Sequence, residues 1–157
     1  MRGGAKCMDM KTLSLLLGTA LALLPSLARA AEGGDIKGLR LEPATTKVAL
    51  IGKARLSVDP LTRGDGGLHA PYKVDVSGLP TGSEHGQFKI AVSGADFDKL
   101  AAGQAVNFSG QAVSSEGNQS SVHGTATPSG KDGGAIKVKV DSKKGKLVFN
   151  TTYKVTR

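Results

Sequence analysis

Three histidines, six aromatic rings and a run of terminal lysines are the residues of this chain with the widest chemical reach. His69, His85 and His123 could in principle hold a metal ion or relay a proton. A histidine metal site usually draws on closely spaced imidazoles of one element. Here the gaps are 16 and 38 residues, with no HxH or HxxxH pair. The spacing therefore points to solvated histidines and to no metal centre. Beyond Cys7 and the first ten residues, the chain has no Cys and no Met, so it offers no thiolate or thioether for a soft metal. No G-x-S-x-G elbow occurs to present a serine nucleophile. The serines cluster in turn-like segments, where local hydrogen bonding is their usual work. These residues predict neither an enzyme nor a bound cofactor.

The lysines carry more information. From Lys131 to Arg157 there are eight basic residues against two acidic ones, whereas from Ala31 to Gly130 there are nine against ten. The excess positive charge thus sits in one segment. Lys137, Lys139, Lys143, Lys144 and Lys146 surround a sharp Asp141-Ser142-Lys143-Lys144-Gly145 turn. They form a candidate binding patch for an anionic envelope polymer, lipid head groups or an acidic protein partner. Lysines at strand edges also block edge-to-edge aggregation, which is the competing explanation. The aromatics argue in the other direction. Tyr72, Phe88, Phe97, Phe108, Phe149 and Tyr153 all fall on apolar stripes, so the core accounts for every one. No ring is left to stack on a sugar or a base, which disfavours carbohydrate and nucleic-acid binding.

The elements that must position these residues follow from hydropathy. Lys11, the apolar run Leu13–Leu24, Pro25 and Ala28-Arg29-Ala30 read as an export signal cleaved between Ala30 and Ala31. The run has twelve residues, and a membrane-spanning helix needs about 20. The expected product is therefore periplasmic or extracellular, with no stable membrane insertion after cleavage. Either Met1 or Met10 could start the chain, because Met10-Lys11 directly precedes the run. Residues 31–35 read as a flexible leader and residues 36–157 as a single domain.

Within that domain period-two alternation dominates. It predicts strands near Leu39–Leu41, over residues 46–58 with a bend at Gly52, and over 72–76, 88–92, 106–112, 122–126, 136–140 and 147–155. One segment breaks the pattern: Phe97, Leu100 and Ala101 at i, i+3, i+4 predict one or two helical turns that plug an end of the sheets. Residues 61–71 are expected to form a loop.

Gly78-Leu79-Pro80 followed by Glu84-His85-Gly86-Gln87-Phe88-Lys89-Ile90 resembles a strand-loop-strand segment of the copper-zinc superoxide dismutases. Where that family carries copper-binding histidines, this chain has Lys89 and Ala91. The resemblance implies a β-hairpin and argues against the metal enzyme. Arg63-Gly64-Asp65 likewise resembles the tripeptide of integrin ligands, in a glycine-rich stretch that suits a turn.

Alternation throughout predicts an all-β domain, read as an immunoglobulin-like antiparallel sandwich of two sheets with seven or eight strands and one short helix. An up-and-down barrel ranks second, because Gly-, Ala- and Val-rich strands lack the bulk expected of a barrel interior. The functional expectation is a non-catalytic envelope module using the basic hairpin. The alternatives are a carrier of a small apolar ligand in a β-barrel, and an enzyme of unrecognised type. An apolar pocket of about 300 Å³ or more would favour the carrier.

Overall fold

The computed structural model describes residues 36–48, 52–78, 82–143 and 145–157. The expected export segment, its Ala30–Ala31 junction, the leader and Lys144 lie outside the described residues. Alternation produces strands largely where the hydropathy places them. In chain order these are β1 (Gly38–Leu41), β2 (Ala44–Val48), β3 (Gly52–Val58), β4 (Leu61–Gly64) and β5 (Gly67–Ser77). After β6 (Glu84–Ala91) comes the helix α1 (Gly94–Ala101), then β7 (Val106–Ser114), β8 (Gln119–Gly130), β9 (Gly133–Ser142) and β10 (Gly145–Thr156).

The sheet closes on itself. Antiparallel pairing runs β4–β5–β6–β7–β8–β9–β10–β1 and returns from β1 to β4. This is an eight-stranded antiparallel barrel, and it overturns the expected two-sheet, immunoglobulin-like sandwich. Closure depends on the pairing of the first strand with the last, Leu41 opposite Tyr153, which local periodicity cannot reveal. The small inner residues that argued against a barrel are what permit it. A Cβ on Gly124 would sit 2.2 Å from the Phe108 ring and 2.2 Å from the Lys137 carbonyl oxygen. Glycine there leaves room for the Phe108 ring to lie over the adjacent strand, directly opposite it in the ladder. Alternating small and large inward residues is how small barrels fill.

Two other corrections concern the first half of the chain. Residues 46–58 form not one bent strand but the β2–β3 hairpin, with Val48 opposite Gly52. Directly paired residues share a face, and Val48 and Gly52 are both even-numbered, so even-numbered positions lie on one face in both strands. One alternation therefore spans two strands. Residues 61–71, expected as a loop, hold β4 and the first half of β5. Thr62 pairs with His69, yet Val58 pairs with Tyr72. The two registers differ by one residue, so a bulge is accommodated at Asp59-Pro60, where the Asp59 N–H reaches Pro71 O at 3.0 Å. Proline is tolerated at such a bulge because no ladder bond is needed from it.

The helix behaves as its periodicity predicts. Ser93 caps it: its Oγ accepts from the Asp96 N–H, and the Asp96 carboxylate accepts from the Ser93 N–H in return. The Ser93 hydroxyl, donating to Asp96 Oδ2 at 2.6 Å, and then the Ser93 N–H hold the Asp96 carboxyl below its usual range. Phe97 and Leu100 turn inward and close one end of the barrel, here the lower end. The other end is bounded by the β5–β6, β7–β8 and β9–β10 connections.

Candidate functional site

Side-chain size along the inner stripes divides the barrel in two. In the lower half the stripes carry Leu68, Phe88, Ile136, Phe149 and Tyr153, all buried. Leu68, Phe88 and Ile136 line a wholly apolar void of about 30 Å³ there, too small and too dry to matter. Toward the upper end the same stripes run out into small residues. Ala112 and Ser114 end β7, Ser120 opens β8, and Val140 and Ser142 end β9. These cannot fill the bore. A cavity of about 630 Å³ opens there toward the β9–β10 turn and the β2–β3 hairpin.

Its floor is aromatic. The Tyr72 and Phe88 rings stack with centroids 4.5 Å apart and planes 15° from parallel. Phe88 touches both the cavity above and the small void below. Val74, Val76, Val140 and Leu147 continue the apolar lining upward. Polar groups share the wall: Ser114, Ser120 and Ser142 line it, and the Tyr72 hydroxyl donates to Glu84 Oε1 at 3.0 Å. Burial, and then the bond to and charge of Glu84, push the Tyr72 phenol well above its ordinary range. Burial also raises Tyr153.

These shifts carry a sign. A free tyrosine ionises near about 10, and in the folded chain both phenols keep their protons to higher pH. Their contribution to stability is whole below about pH 10 and is lost as pH rises through the folded values. Tyr72 and Tyr153 are the only tyrosines of the sequence. A phenolate absorbance titration should therefore show no ionisation near pH 10, and ionisation should accompany unfolding above it. Tyr72→Phe should flatten the alkaline loss of stability. A normal two-tyrosine titration in the folded protein would contradict the placement of both rings.

The expected site residues are dispersed by this fold. Lys137 and Lys139 stand on the outer wall of β9, opposite Asn150 and Val148 of β10. Both flank paired strands of a closed sheet, so edge protection does not account for them. Lys146 stands opposite Asp141, with Nζ 3.7 Å from its Oδ1, which interrupts the patch with a negative charge. Lys143 is exposed at the β9–β10 turn, and Lys146 alone of the four described lines the cavity. His85 is at the rim, His69 lies with Nε2 3.3 Å from Asp65 O, and His123 faces out between Ser109 and Lys139. Among the described residues no three His, Cys, Asp or Glu side chains converge on one point. The Arg63 guanidinium lies 4.7 Å above the Phe97 ring, while Arg63, Gly64 and Asp65 all remain exposed.

Sequence reasoning missed Tyr72 and Glu84 as site residues. Tyr72 was absorbed into the core count. Glu84 had a signal: it lies in phase with Gly86, Phe88 and Ile90, an acidic residue on an apolar stripe. No protein-family model, curated protein or solved structure matches this chain, so its functional reading rests on this geometry.

Proposed function

We propose that the barrel is a non-catalytic carrier of a small apolar ligand, held in the upper cavity. One observation carries the reading: the bore is filled below Phe88 and hollow above it, with a cavity of about 630 Å³. Ligand pockets span about 300–1,000 Å³ and are lined mainly by apolar and aromatic groups with a few polar ones. The Tyr72–Phe88 floor, Val74, Val76, Val140 and Leu147 supply the apolar part of such a lining, and serines, Glu84, Glu116, Lys47 and Lys146 make the other half polar. The apolar walls gain when a ligand displaces water from them, at about 25 cal/mol per Å² of apolar surface buried. We read the carrier as exported, on the strength of the segment over residues 1–30.

The test is a fluorescence titration with N-phenylnaphthylamine, a probe that brightens in apolar surroundings. Saturable enhancement at one equivalent per chain is the expected result. Enhancement that is absent, or that rises without saturating, would overturn the carrier.

A further inference from the structure

The cavity has a side opening, and its position says what kind of ligand fits. The β1–β10 ladder continues to Glu42, whose N–H donates to Thr152 O at 3.0 Å. Pro43 follows and has no N–H to give. Beyond it the described residues of β2 pair with β3 alone, although β2 still runs beside β10. The barrel wall is therefore parted between β2 and the upper half of β10.

The cavity reaches this parting. Lys47 lies between Thr46 and Val48, and Lys146 between Gly145 and Leu147. By alternation both lysines point away from the bore, yet both line the cavity. They stand on the two strands that flank the unpaired boundary, at the margin of the cavity. The slot is positively charged. Lys47 also faces Lys53 directly across the β2–β3 ladder, a like-charge pair that costs stability until an anion relieves it. Lys146 makes a long, exposed contact to Asp141, at 3.7 Å with 83% of its side chain accessible. Such pairs are weak and readily exchanged. The cavity edge formed by β6 and the β7–β8 turn carries Glu84 and Glu116 instead. An anionic group is repelled from that edge and drawn to the slot.

We propose that the ligand is a single-tailed amphiphile with an anionic head, its tail in the cavity and its head between Lys47 and Lys146. The proposal rests on the carrier reading and specifies the ligand class within it. Two exposed charge contacts should favour the anion by roughly 3- to 10-fold.

The experiment displaces N-phenylnaphthylamine from the full chain with dodecanoate or dodecanol at neutral pH, where the carboxylate is ionised. The quantity read is the ratio of their displacement constants in the native chain relative to Lys47→Gln/Lys146→Gln. Both lysines are exposed, so the double change should leave folding intact. The native ratio should favour dodecanoate by roughly 3- to 10-fold over the variant ratio. That advantage should vanish at about 1 M salt, where the screening length falls to about 3 Å. An unchanged ratio while the probe still binds would overturn the slot and leave the carrier standing. Failure of the native chain to bind the probe would overturn both.

Discussion

Phe149→Ala should lower the unfolding free energy by about 3–5 kcal/mol, the range for emptying a buried phenylalanine site. Phe149 lies mid-strand in β10, fully buried, opposite Val138 of β9. The β9 ladder, with Phe149 opposite Val138, holds the backbone in place on one side, so much of the void should persist. A domain of ordinary stability has about 5–15 kcal/mol in total. The sequence has one cysteine, Cys7, and so no disulfide of its own to offset the loss. Phe108→Ala should cost less. The sequence reading gives Phe108 and Phe149 equal weight, but Phe108 is only half-buried. Chemical denaturation of both variants checks this. A smaller loss at Phe149 than at Phe108 would contradict the packing described for the lower barrel.

Val140→Trp should weaken N-phenylnaphthylamine binding by at least roughly tenfold, about 1.4 kcal/mol, with little change in melting temperature. Val140 points into the upper cavity from β9, between Val122 of β8 and Leu147 of β10. Enlarging a residue in a packed core typically costs about 1–3 kcal/mol. Here the added indole meets empty space, so stability should hold while the ligand loses its room. Lys137→Gln on the outer wall serves as the control and should leave binding unchanged. A folded Val140→Trp variant with native affinity would place the ligand elsewhere.

The fold was legible in the sequence strand by strand but not as a whole. Alternation is a local signal, so it located β1 and β6 through β10 and the phase of their inner faces. Periodicity of another kind located α1 through Phe97 and Leu100. Neither signal bears on which distant strands meet, and the Leu41–Tyr153 pairing separates a barrel from a sandwich. Inner glycines were weighed as missing volume, whereas Gly124 and Gly110 admit close neighbours. A Cβ at Gly110 would stand 2.1 Å from the Lys89 carbonyl oxygen. The site was less legible still. A hollow arises from where small residues coincide around a ring, and Ala112, Ser120 and Ser142 come from three strands. Lys47 and Lys146 become neighbours of one slot only after closure. The lysine cluster itself was visible, but its division into an outer wall and a rim was not.

The most direct test of the carrier is an amide chemical-shift map of the protein titrated with N-phenylnaphthylamine. The account predicts changes concentrated at Tyr72, Val74, Val140 and Leu147, with Leu68, Ala126 and Ile136 in the filled half little affected. Changes centred on the lower barrel or the outer wall, or none at saturating probe, would contradict it.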